Sequence, residues 1–233
     1  MNRNIPGTID CFKAIVNPEI YRNFAIHLFV MFPAAMIMCW LASLLDEKLG
    51  WSTFGTDGWR IPMGISLIWA GGIWVWFVYG YLFLVGEGSP GTHVDGGPVR
   101  LVDTGPYSAM RHPSVLGKLL GVTGLGIAWG STSFLLFFLP VLLVYSYVTN
   151  RLIQEKFCHE RFGSSYAQYV QEVPMFIPSS KGLRRWRQKE AVLDKVELSS
   201  VSTQPPGVWN EFRWYLLGLI GLISLFGFFL WLA

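Results

Sequence analysis

Residues 113–150 read PSVLGKLLGVTGLGIAWGSTSFLLFFLPVLLVYSYVTN, with Lys118 as their one charged side chain. A membrane-crossing helix needs about 20 apolar residues, so the run is too long for one such helix and short for two. Gly130-Ser131-Thr132-Ser133 in its middle has the composition of a turn. The run therefore predicts two short helices forming a hairpin, each near the lower limit for spanning. Lys118 lies one turn into the first helix, where a long side chain can snorkel to the interface.

Composition extends that reading to the whole chain. Of 233 residues, 52% are hydrophobic and 14% charged, with 11 Trp and 17 Phe. Soluble domains carry roughly 25% charged residues, and a soluble surface could not be covered with so few. The chain reads as an all-α, polytopic integral membrane protein. Disorder and collagen are excluded. Three cysteines (Cys11, Cys39 and Cys158) exclude a disulfide scaffold. They have no ligand spacing, so reduced thiols and no metal site are expected.

Outward from the hairpin, residues 61–85 form an apolar run rich in Trp and Gly. Residues 24–45 form another, interrupted by Pro33, where a kink is expected. Residues 1–23 carry Arg3, Lys13 and Arg22. They contain no apolar stretch of the signal-peptide kind. Residues 86–112 are dense in Gly and Pro and read as a loop. Beyond the hairpin, residues 151–178 are amphipathic. Phe162, Tyr166, Tyr169 and Val173 recur there at helical spacing, an apolar stripe for a helix lying at the membrane surface or against the protein. Residues 181–189, KGLRRWRQK, suit anchoring at anionic lipid far better than nucleic-acid binding. A mixed-charge linker over 190–210 leads to a last apolar run, 212–232. The expected organisation is a cytosolic segment 1–23, two transmembrane helices within 24–85, a core over 86–180, a basic segment and linker over 181–211, and an additional transmembrane helix over 212–233. That makes about five spans.

Ten of the 18 Lys and Arg fall between Arg151 and Arg213, which places the segment after the hairpin in the cytosol. Four spans before it place the N-terminus and the 86–112 loop on the same side. The two unusual polar segments then share one membrane face.

Glycines 121, 124 and 126 have the spacing of a dinucleotide loop only loosely. No strand precedes them, and close helix packing at Gly117 and Gly121 explains them better. Arg111 and His112 precede Pro113 at the start of a helix, where free N–H groups favour an anionic ligand. Structural roles for the same residues are an interfacial arginine and, at Tyr107, a belt aromatic. Arg151 and Glu155 are four apart and share a helix face, as in an ordinary ion pair. His159, His27 and His93 are read as structural.

Residues 101–117, LVDTGPYSAMRHPSVLG, resemble the LV..G.Y...RHP.Y.G signature of the isoprenylcysteine carboxyl methyltransferase family. Residues 151–178, RLIQEKFCHERFGSSYAQYVQEVPMFIP, resemble that family's downstream pattern of an arginine, paired glutamates, FG, two tyrosines and VP..IP. The related phospholipid N-methyltransferases share much of it. The resemblance implies a membrane methyltransferase using S-adenosylmethionine at the cytosolic face. Leu101, Val102, Tyr107, His112, Pro113, Ser114, Val115 and Glu155 match positions that touch the cofactor, with Gln154 beside them. Arg151 matches the arginine associated with the acceptor. Within that frame Arg111 can pair with the methionine carboxylate, Glu155 can accept from ribose hydroxyls, and Arg151 can orient an acceptor carboxylate.

The chain departs from the pattern at Val115, where the family has Tyr, at Gln154, where it has Glu, and at Ser108, where many relatives have Arg. The expected activity is methylation of a lipid-like or lipid-attached acceptor, with a carboxylate favoured over an amine. The protein is expected in a bacterial inner membrane or the endoplasmic reticulum. Alternatives are a phospholipid-type N-methyltransferase, an NADPH-dependent membrane reductase sharing a related RHP segment, and a non-catalytic membrane scaffold.

Overall fold

The computed structural model describes residues 5–87 and 98–194, with isolated positions between 217 and 231. The expected fifth span falls largely outside the described residues. So do Arg3, His93 and most of the 190–210 linker. All regular structure among the described residues is helical. In chain order it comprises α1 (Thr8–Lys13), α2 (Pro18–Lys48), α3 (Asp57–Gly86), α4 (Pro106–Ala109), α5 (Pro113–Trp129), α6 (Leu139–Thr149), α7 (Glu155–Glu172) and α8 (Ser180–Gln188). Wide π-type turns occupy Phe134–Phe138 and Asn150–Gln154. Among the described residues two helices are long and apolar enough to cross a membrane, α3 and the continuous helical run Phe134–Glu172. α5 is apolar but shorter. α2 covers the first apolar run and continues helically through Pro33.

The chain divides into two compact units. One comprises Ala25–Ile73, Gly117–Val148 and Trp209–Ala233. Its core joins Ala35, Met38, Cys39, Ala42 and Leu45 of α2 to Leu125 of α5, Phe134 and Phe138. The close helix packing expected at Gly117 and Gly121 is made with α3. A Cβ on Gly71 would strike the backbone at Gly117 and Gly121, and one on Gly124 would strike Gly64. Absent side chains let the two backbones touch.

The hairpin turn falls where the sequence places it. Gly130, at φ +81°, ends α5 in a conformation costly for other residues. Both helix ends at the turn are satisfied by charged side chains. The Asp46 carboxylate accepts from Ser131 Oγ at 2.6 Å and from the Ser133 amide at 2.8 Å. Arg60 Nη1 donates to the Ala128 carbonyl at 3.0 Å and pairs with Asp57. An anion thus meets orphan N–H groups and a cation meets orphan carbonyls.

The other unit comprises Met1–Phe24, Trp74–Leu116 and Thr149–Val208. Phe162, Tyr166, Tyr169 and Val173 form the expected buried stripe, packed with Leu101 and Leu193. A second cluster joins Cys11 to Val78, Tyr81, Val102 and Tyr107. Two expectations are corrected here. The hairpin's second helix and the amphipathic helix are continuous, because no Gly or Pro occurs from Val141 to Phe162 to interrupt them. The amphipathic helix ends at Glu172 rather than Pro178. Val173 is extended, as befits a residue before proline. Gly163 at φ +49° kinks α7 on the way.

Asp46→Ala should lower stability by about 1 kcal/mol, the worth of a helix cap. Combining it with Ser131→Ala should cost less than the sum, since the two side chains share one hydrogen bond. Thermal midpoints of the full chain in detergent measure both.

Candidate active site

The site lies wholly within the second unit, where the residues preceding α5 meet the start of α7. The apolar part of the long helix ends at Thr149. The π-type turn Asn150–Gln154 carries the chain into polar sequence and delivers Glu155 at the head of α7. π-type turns are rare and recur at functional sites. Glu155 is 1% exposed although it carries a charge.

Its partners explain how that burial is tolerated. Oε2 accepts from Arg151 Nη1 at 2.5 Å. Oε1 lies 2.9 Å from Arg111 Nε and 3.5 Å from His112 Nε2. The Arg111 and His112 side chains are each 9% exposed, whereas the Arg151 side chain is half exposed. Burial alone would raise the Glu155 carboxyl. Contact with His112 and Arg151, and the charge of Arg111, overcome it and hold the group at about 2. Burial pushes His112 below its ordinary value, and Glu155 only partly offsets that. At neutral pH the cluster is therefore an ionised carboxylate, two guanidinium groups and a neutral imidazole.

Backbone contacts hold this arrangement. The amides of Arg111 and His112 donate to the carbonyls of Pro174 and Met175 at 2.9 and 3.1 Å. Arg111 Nη1 donates to the carbonyls of Val170 and Val173 at 3.0 and 3.2 Å, which caps the end of α7. The Tyr169 hydroxyl donates to the Tyr107 carbonyl at 2.7 Å. Trp74 Nε1 donates to the Pro113 carbonyl at 2.7 Å. On the far side, Asp103 receives the Leu193 amide at 2.9 Å on its carboxylate. Its carbonyl receives the Val192 amide at 3.1 Å.

Of the residues singled out from sequence, the structure brings together Arg111, His112, Arg151, Gln154 and Glu155. Gln154 is half-buried and acts on His112. Pro113 and Val115 are buried next to them, and Ser114 is partly so. Leu101 packs in the α7 stripe. Val102 and Tyr107 pack around Tyr81, whose ring stacks on Tyr107 at 6.5 Å. Tyr107 is thus a core aromatic rather than a belt residue. Arg111 is more than an interfacial anchor, since its guanidinium joins α7 to the site. His159 is exposed and meets Tyr166 edge-on at 4.8 Å. Sequence reasoning missed Tyr169 and Asp103 as supports of the site. Tyr169 was legible only as one member of an apolar stripe, and the bonds of Asp103 join residues 90 apart.

Among the described residues no group of His, Cys, Asp and Glu could hold a metal ion. The cluster does fit a polar organic ligand. Arg111 Nε, His112 Nε2 and Glu155 Oε1 are buried and converge, yet none completes an aligned hydrogen bond. They meet one another as ion-pair partners, and the poor alignment leaves hydrogen-bonding capacity for such a ligand.

Residues 58–165 match a family model described as phospholipid methyltransferase. The matched stretch contains Arg111, His112, Arg151, Gln154 and Glu155, and ends before α8. The match fits the broader family of membrane methyltransferases and supports that activity for this chain. It does not reach the finer isoprenylcysteine carboxyl subfamily. No curated protein and no solved structure matches the chain.

Glu155→Gln should destabilise the protein by about 3 kcal/mol or more, because it leaves the buried Arg111 without its counter-charge. Arg151→Gln should cost less than about 1 kcal/mol, since that side chain is half exposed. Acidification should act in the same direction as Glu155→Gln. Both Glu155 and His112 titrate below their unfolded values, so the unfolded chain binds more protons and stability falls as pH drops. The His112 contribution is lost from about pH 6.5 downward. That of Glu155 is lost between its ordinary range and about 2. Thermal midpoints from pH 8 to pH 4 should decline, and Glu155→Gln should flatten the acidic part of the curve.

Proposed function

We propose that the chain is an S-adenosylmethionine-dependent methyltransferase acting on a lipid-like or lipid-attached carboxylate at a membrane surface. The observation that carries this is the Glu155 carboxylate, buried and ionised between Arg111, His112 and Arg151 inside the stretch that matches phospholipid methyltransferases. The five-span, cytosol-facing arrangement read from the sequence belongs to the same proposal.

S-adenosylmethionine, when bound, supplies an electrophilic methyl group on a sulfonium. Glu155 would hold its hydroxyl groups as a fixed acceptor, with His112, Pro113, Ser114 and Val115 as the adjoining wall. Leu101, Val102 and Tyr107, which pack in the two clusters of this unit, would complete the cofactor-binding set. Arg111 holds Glu155 and the end of α7 in register. Its Nη1 is already committed to two carbonyls, which favours this positioning role over a direct grip on the methionine carboxylate. Val115 leaves an aliphatic surface where relatives have an aromatic one, and Gln154 keeps an acceptor without the charge. Arg151, half exposed, can orient an incoming carboxylate. Catalysis of this kind is mainly the positioning of two reactants.

The electrostatics favour a carboxylate acceptor over an amine. An ammonium must lose a proton before it can be methylated, and an effective general base titrates near the working pH. Glu155, held at about 2, is a poor proton acceptor. A carboxylate needs no base. The second reading is methylation of a phospholipid amine; the description of the matching family names a phospholipid and leaves the accepting atom open.

Calorimetry of the purified protein should show S-adenosylmethionine binding and no NADPH binding. The reverse result would favour a reductase. Absence of both from a folded sample would favour a scaffold. With lipid carboxylate as acceptor, turnover should be flat from pH 6 to pH 9. With a lipid amine it would climb with pH. Arg151→Ala should lower kcat/KM for the acceptor by about tenfold, or about 1.4 kcal/mol, and leave cofactor affinity unchanged.

A further inference from the structure

α8 has one face built into the site's own scaffold and another left exposed. Ser179 caps it, its hydroxyl accepting from the Gly182 amide at 3.0 Å. The Ser179 amide donates to the Ala109 carbonyl at 3.1 Å. Gly182 presses on the backbone of Ser108 and Ala109, where any side chain would collide. Ser108 Oγ reaches the Gly182 carbonyl at 3.2 Å. Trp186 packs against Trp74 and Phe77, with ring centroids 5.8 and 6.3 Å apart. Trp74 in turn holds the Pro113 carbonyl beside His112. α8 is therefore a fixed extension of the site.

The exposed face has a different chemistry. Ser180, Leu183, Arg184 and Arg187 follow one helical stripe and are all exposed. Ile177, just before the helix, is 80% exposed, and Leu183 is 45% exposed. Lys189 continues the cationic side at the helix end. The acidic groups nearby are Glu172, which pairs with Lys181 at 2.7 Å and Arg185 at 3.1 Å, and Glu190 beyond the helix. Glu172 neutralises cations away from the stripe and leaves Arg184 and Arg187 facing outward.

We propose that the outer stripe of α8, with Ile177, Leu183, Arg184 and Arg187, is a docking surface for acidic phospholipids of the adjoining leaflet. Such a leaflet takes both kinds of side chain, aliphatic groups in its acyl boundary and guanidinium groups at its phosphates. An RNA or an acidic peptide would use the cations but leave Ile177 unburied. Because the inner face of α8 is locked to residues 108–109 and, through Trp186 on Trp74, tied to the Pro113 carbonyl, a docked leaflet fixes the height of the Arg111–Glu155 cluster above it. The proposal rests on the membrane reading of the chain and is independent of methyl transfer.

Hydrogen exchange of the full chain tests it, in bilayers of phosphatidylcholine alone and of phosphatidylcholine mixed with phosphatidylglycerol. Two arginines at an acidic surface together favour it by roughly 25-fold. Amides of residues 180–188 should exchange several-fold more slowly in the mixed bilayer. The protection should vanish in Arg184→Gln/Arg187→Gln, and in the wild type at about 1 M salt, where screening acts within about 3 Å. Equal exchange in both bilayers, or protection indifferent to salt, would overturn the proposal. So would equal protection by added RNA in phosphatidylcholine alone. The salt series needs no variant, so a folding defect in the double substitution leaves the test intact. Cofactor binding measured on the same samples separates the two ideas: its absence alongside lipid protection would count against methyl transfer only.

Discussion

A carboxylate buried to 1% exposure constrains everything around it. Removing a charge from water costs several kcal/mol unless partners replace the water. Glu155 obtains three partners from two places in the chain. Arg151 comes from its own helix four residues earlier, and Arg111 and His112 come from the segment before α5. Arg111 is held by the end of α7 and the residues after it: Pro174 accepts its amide, and Val170 and Val173 accept from its side chain. The kink at Gly163, the end of α7 before Pro174 and the docking of α8 on residues 108–109 all bear on that one charge.

The same interaction separates what the site can do from what it cannot. Two guanidinium groups and an imidazole make Glu155 a firm hydrogen-bond acceptor and a weak base. A fixed acceptor suits recognition of a polar ligand, and a weak base suits an acceptor substrate that arrives already deprotonated. The half-exposed Arg151 is the member of the cluster best placed to meet something from outside. These properties are consistent with the membrane methyltransferase activity that the family match supports.

Cations are handled in two ways in this unit. Lys181 and Arg185 are paired with Glu172 beneath α8, whereas Arg184 and Arg187 face outward beside exposed aliphatic groups. A run of basic residues in sequence does not distinguish these roles. Helical phase and the position of one distant glutamate do.

Much of the architecture follows from local sequence. The apolar runs, the turn at Gly130, the α7 stripe and the Gly117/Gly121 contact surface are set by composition and by spacings within a few residues, where helix geometry leaves little choice. The Arg151–Glu155 pair is legible for the same reason. Other features arise from residues far apart in the chain. Asp46 meets Ser131 and Ser133, Asp103 meets Leu193, and Arg111 spans to Val170 and Val173. No periodicity links those positions. Nor does local sequence show that Glu155 is buried, or that Tyr107 is a core residue, because burial depends on which segments return to cover a side chain. Sequence by itself determined the helices and the candidate cluster. Only tertiary structure decided which charges are shielded from water, and hence which of them hold the cluster together and which stay open to solvent.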